Sequence, residues 1–102
     1  MIIKPKISSY EVPSDPGAKY EAFSIDKTGE NTYALCGRRF GKDNVSELFT
    51  IKEFDLKNNT FRYLKEGESL LSLLDSKTDG EFGPIVDGAI PFHQIQFIRD
   101  NI

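Results

Sequence analysis

Polar and apolar residues alternate most regularly in the first two thirds of the chain. Over residues 19–25, Phe23 and Ile25 alternate with Ala22 and Ser24, and over residues 32–39, Tyr33 and Leu35 alternate with Thr32 and Ala34. A period of two sends successive side chains to opposite faces of a strand, so both segments are predicted as half-buried strands. The turn between them contains Gly29, expected in the left-handed conformation that glycine adopts without steric cost.

A hairpin is predicted next. Asparagine tolerates positive φ, so Asn58 and Asn59 suit a two-residue type I′ turn. That turn sets Lys57 opposite Thr60, Leu56 opposite Phe61, Asp55 opposite Arg62 and Phe54 opposite Tyr63. Each such pair contributes about 0.2–1 kcal/mol. Upstream, Phe49 and Ile51 run in the opposite phase to Phe54 and Leu56, and a bulge near Lys52 and Glu53 is expected to reconcile them.

The periodicity changes over residues 68–76. Leu70, Leu71, Leu73 and Leu74 form one stripe at helical spacing, with Glu66 and Glu68 near the positive end of the helix dipole and Lys77 near the other. A helix this short must pack on the sheet to persist. Residues 1–17 read as an edge strand or arm, since Pro5 lacks a ladder donor, followed by a turn at Ser14, Asp15, Pro16 and Gly17. The last segment fits two periods. Phe92, Ile95, Ile98 and Ile102 match a helical stripe, whereas Ile95 and Phe97 alternate with Gln94 and Gln96. Ile90 makes a poor N-cap ahead of Pro91, which favours strands at 85–90 and 94–99 around a tight turn at 91–93.

These elements predict an α+β fold: a single domain over 1–102, with an antiparallel meander of five or six strands and one short helix packed on it. The expected core includes Phe23, Ile25, Tyr33, Leu35, Phe49, Ile51, Phe54, Leu56, Phe61, Leu70, Leu71, Leu74, Ile95 and Phe97. A length of 102 residues suits one domain. Eight Phe and four Tyr argue against disorder. One Cys excludes an internal disulfide framework and a multi-cysteine zinc site. The start lacks the apolar core of a secretory signal, because Lys4, Pro5 and Lys6 follow Ile2 and Ile3 at once, so a cytoplasmic protein is expected.

The net charge of −3 disfavours nucleic acid and anionic membranes as partners. It is unevenly spread. Residues 1–65 hold 11 Lys and Arg against 9 Asp and Glu, a balance of +2. Residues 66–98 hold Lys77 against Glu66, Glu68, Asp75, Asp79, Glu81 and Asp87, a balance of −5.

Little else carries chemistry. Cys36 lies in a predicted strand, where a free cysteine acts as a small hydrophobe, and no base is tied to it by spacing. Residues 75–81 match a calcium loop at Asp75, Asp79 and Gly80, but Lys77 stands where an oxygen ligand is needed and Val86 where the bidentate Glu belongs. No metal or other cofactor is called for. Gly37, Arg38, Arg39, Phe40, Gly41 and Lys42 form the densest basic cluster, without the spacing of a phosphate-binding loop.

The function these features favour is non-catalytic binding of another protein with a basic surface, as an inhibitor, toxin-immunity or accessory protein. The expected contacts are Glu68, Asp79, Glu81 and Asp87, with Arg38, Arg39 and Lys42 as a second site. One alternative is a small-ligand or nucleotide-binding enzyme using the 38–42 loop with His93, which requires a pocket gathering Arg38, Arg39 and His93. Another is a structural subunit of a homo-oligomer.

Overall fold

The computed structural model describes residues 2–3, 8–41, 47–69 and 80–102. Seven strands form one antiparallel sheet: β1 (Ile2–Ile3), β2 (Ser8–Tyr10), β3 (Lys19–Lys27), β4 (Thr32–Phe40), β5 (Glu47–Asp55), β6 (Thr60–Gly67) and β7 (Gly83–Pro84). A helix, α1 (Ile90–Asn101), follows. β3 to β6 form a meander in sequence order, and β1 and β2 share the outer side of β3, as the edge reading of residues 1–17 expects. The α+β meander with one packed helix is therefore observed.

β4 and β5 pair without interruption from Thr32 opposite Asp55 to Phe40 opposite Glu47. This regular centre fixes two faces. One carries Ile25, Leu35 and Phe54, and against it pack Ile95 and Ile98 of α1. Ile25, Phe54, Ile95 and Ile98 are the largest fully buried side chains, each contributing about 1.5–3 kcal/mol. The other face carries Cys36, Arg38, Phe49, Ile51 and Glu53 by alternation.

Two irregularities reset the expected phases. The register of β3 against β4 shifts between Ala22 and Ser24, leaving Phe23 as the extra residue. Ala22 and Ile25 thus share the helix face, while Phe23 turns to the other, where its ring stacks 6.1 Å from that of Phe49. Phe23 and Phe49 therefore do not join Ile25 in the core beneath α1. The second shift lies opposite Ile51 and Lys52, where the extra residue is Leu64 of β6. β5 itself stays regular, so the bulge expected at Lys52 and Glu53 sits on the partner strand. Phe49 and Phe54 remain on opposite faces, each buried.

The β5–β6 hairpin forms, but the β5 residues nearest the turn each pair two positions earlier on β6 than expected, around a longer turn. Phe54 faces Phe61, Asp55 faces Thr60, Glu53 faces Arg62 and Lys52 faces Tyr63. Four residues make the turn because the Asp55 carboxylate accepts from the backbone N–H groups of Lys57 and Asn58, both at 3.0 Å, and from Asn58 Nδ2 at 2.8 Å. A side chain closing its own turn is a known asparagine and aspartate device. Asn59 alone is left-handed, with φ of 55°. Arg62 consequently pairs with Glu53, at 2.6 Å, rather than with Asp55.

The 26–31 turn is closed by Thr28 N donating to Thr32 O at 3.0 Å, and Gly29 does not take the left-handed conformation expected of it. Gly17 and Gly88 do, with φ of 85° and 78°. The last segment is helical instead of two strands. Ala89 caps α1 with backbone alone, and Pro91 sits in the first turn, where a missing N–H costs no hydrogen bond. No strand forms over 85–90; β7 lies just before it, and Ile90 begins α1. The leucines of the expected 68–76 helix lie outside the described residues, as do the first five positions of the 75–81 loop.

Candidate functional site

Glu68, Glu81 and Asp87 are exposed, as is Glu66 near the end of β6; Asp79 lies outside the described residues. Pairing of Phe61 with Gly83 and Thr60 with Pro84 holds the segment carrying Glu81 beside β6. An open groove of about 420 Å³ runs between them, lined by Phe61, Arg62, Tyr63, Glu66 and Glu81 with Gly80 and Gly83. The rings of Phe61 and Tyr63 meet edge to face there, with centroids 6.0 Å apart. The Arg62 guanidinium is held by Glu53 and lies 4.6 Å from the centre of the Phe82 ring. Phe82 and Val86, on either side of β7, are exposed at 38% and 66%. The β6–β7 side therefore joins exposed apolar side chains to the exposed carboxylates of Glu66 and Glu81, with the Arg62 guanidinium serving Glu53.

The basic cluster is divided by strand geometry. Arg38 and Arg39 are consecutive in β4, so they point to opposite faces. Arg38 Nε donates to Glu21 Oε1 at 2.7 Å, and its guanidinium lies 4.3 Å from the Phe40 ring centre. Arg39 makes a two-point contact with Asp15, at 2.6 and 3.2 Å. That contact raises the guanidinium pKa further. Lys42 lies outside the described residues. His93 sits on α1 with its ring 5.2 Å from that of Phe92. Arg38 and Arg39 both line one small cavity beneath α1, and His93 is not among its lining residues. Gly37 serves packing instead: a Cβ there would fall onto the Glu21 carbonyl oxygen, because the Phe23 bulge brings β3 close.

Cys36 is half-buried in β4. Burial pushes its thiol pKa up, against a hydrogen bond with Ser24, which makes it a poor nucleophile at neutral pH. Among the described residues no three His, Cys, Asp or Glu side chains gather to hold a metal. Nor is any helix there long and apolar enough to cross a membrane.

A residue absent from the predicted sites dominates the helix face. Lys52 is 4% exposed, in phase with Phe54 on β5. Its Nζ donates to Gln94 Oε1 of α1 at 2.8 Å and lies 5.0 Å from the Tyr63 ring centre. Burial lowers its pKa to about 8, with Glu66 pulling the other way. Gln94 Nε2 in turn donates to the Tyr10 hydroxyl at 3.0 Å, and burial pushes that phenol up to about 12. Tyr20 donates to Asp15 at 2.6 Å, and its pKa rises through burial and that bond. A cavity of about 70 Å³ opens among these groups, walled by Leu35, Leu48, Tyr63 and Ile90. The phase of Phe54 was the signal for Lys52, masked by the bulge expected between them. No family model matches the chain, and neither a curated protein nor a solved structure matches it.

Proposed function

We propose that this chain is a non-catalytic protein-binding module of the cytoplasm, an inhibitor, immunity or accessory protein, that takes a basic segment of its partner along the β6–β7 side. The observation that carries this reading is the groove between β6 and β7, where Phe61 and Tyr63 form an apolar floor beside Glu66 and Glu81. Exposed Phe82 and Val86 extend the apolar surface, and Glu68 and Asp87 extend the charge. Aromatic anchors flanked by one sign of charge suit an interface: the apolar part supplies affinity, and the charge speeds and orients encounter.

The test is capture of a partner by the wild-type chain and by a variant with Glu68→Gln, Asp79→Asn, Glu81→Gln and Asp87→Asn together. The variant is expected to retain less partner, and the wild-type yield is expected to fall steeply with salt while the variant's does not. Equal yield and equal salt response in the two chains would overturn the acidic-surface reading.

A further inference from the structure

We propose that the cavity beneath α1 is a binding site for a small monocarboxylate with a short apolar tail, with the Lys52 ammonium as the carboxylate's partner. Nothing in this proposal depends on the β6–β7 groove. A lysine ammonium has three N–H donors. That of Lys52 spends one on Gln94 Oε1 and lies 5.0 Å from the Tyr63 ring centre. Among the described residues no carboxylate forms a salt bridge with it. Glu66 attracts it, but a buried cation in this state lacks the close ion pair that such charges ordinarily have.

The neighbouring groups decide what would complete it. Arg39 and Tyr20 are both committed to Asp15. The Tyr10 hydroxyl accepts from Gln94 and keeps its own proton to donate. Thr50 supplies another hydroxyl to the lining. The cavity thus presents spare donors and the Lys52 ammonium, which Glu66 attracts without a salt bridge among the described residues, and this selects an anion. A single lysine ammonium suits a monoanion, because a buried dianion would be left with still more excess charge. Leu35, Leu48 and Ile90 supply walls for an alkyl tail. At roughly 10–15 Å³ per water-sized atom, the 70 Å³ volume holds about five or six non-hydrogen atoms. Butyrate is of that size; a nucleotide is several times too large.

Sodium butyrate is the probe, titrated into the full-length 15N-labelled chain and followed by amide shifts. Saturable shifts confined to the cavity lining are expected, with a Kd of about 1 mM from the usual efficiency of small ligands. Sodium chloride at equal concentration should leave those residues unmoved. Lys52→Met should weaken binding about tenfold or more, with thermal unfolding showing that the variant is folded. Wild-type protein supplies a second readout. Binding should fade as pH rises through about 8, where Lys52 loses its proton. Among the described residues, the other charged or titratable groups lining the cavity or acting on Lys52 are Tyr10 of β2, Tyr20 of β3, Arg38 and Arg39 of β4 with Glu21 and Asp15, and Tyr63 and Glu66 of β6, while α1 presents the neutral Gln94. The three tyrosines all titrate above their ordinary value, so a loss near 8 reports Lys52. Absence of saturable shifts, equal binding by Lys52→Met, or inorganic phosphate binding as tightly as butyrate would each overturn the proposal.

Discussion

Lys52 sits where its charge opposes the fold that encloses it. Its folded pKa of about 8 lies below the ordinary 10.5 because burial disfavours the ammonium. A base with a depressed folded pKa binds fewer protons folded than unfolded, so stability rises with pH between the two values. The charged form costs about 3 kcal/mol at neutral pH, and that cost is expected to disappear as pH climbs from about 8 toward 10.5. Above about 10 the tyrosines act oppositely, since the fold keeps them neutral. Urea midpoints across this range should therefore rise and then fall. Lys52→Met should raise the midpoint at neutral pH and remove the rise; a flat wild-type profile would contradict the burial of a charged lysine. Gly37 makes a second residue-scale claim. Gly37→Ala forces a methyl against the Glu21 carbonyl and should destabilise by about 1–3 kcal/mol in urea unfolding. Gly83→Ala, which meets nothing within 4 Å, should stay within about 0.5 kcal/mol.

The elements show which local signals suffice and which need tertiary context. Strands β3 to β6 were legible because alternation needs only a period of two, and the face of each β5–β6 hairpin residue was right because a two-residue slide preserves it. The register was not legible. It turns on whether Asp55 pairs across the ladder or closes the turn, and its acceptors are taken by Lys57, Asn58 and the Asn58 side chain. Those bonds also hold the Asp55 carboxyl below its ordinary pKa. The turn geometry is testable at Asn59, whose φ of 55° disfavours a β-branched side chain. Asn59→Val is expected to cost about 1–2 kcal/mol, and Asn59→Gly to be neutral or stabilising, as read by thermal or urea unfolding. α1 was missed for a related reason. The stripe of Ile95 and Ile98 was visible, but a helix capped by Ala89 without a side-chain bond carries no start signal except Pro91. The Phe23 and Leu64 bulges left no mark in the sequence, since each depends on the strand opposite. Of the candidate sites, the acidic stretch was legible as composition, whereas the groove beside it exists only once Gly83 pairs with Phe61.

At the scale of the molecule, the small net charge of −3 conceals a division between a slightly basic sheet half and an acidic stretch beginning at Glu66. The fold turns that division into a surface. Arg38, Arg39 and Arg62 are each drawn into ion pairs with Glu21, Asp15 and Glu53, while Glu68, Glu81 and Asp87 stay exposed, Glu81 and Asp87 next in sequence to exposed Phe82 and Val86. Glu21, Asp15 and Glu53 are thus spent internally, while Glu68, Glu81 and Asp87 remain exposed. Such a field acts within about 10 Å at ordinary ionic strength, so salt should act on encounter more than on the bound state. The most direct measurement is an amide-shift titration of the labelled chain with an end-blocked peptide alternating Lys and Val, beside one alternating Glu and Val. The expected result is saturable shifts at Phe61, Tyr63, Glu66, Glu81 and Phe82 with the basic peptide alone, weakening as salt is added. Shifts gathered instead around Arg38 and Phe40, or an equal response to the acidic peptide, would contradict the β6–β7 side as the place where a partner binds.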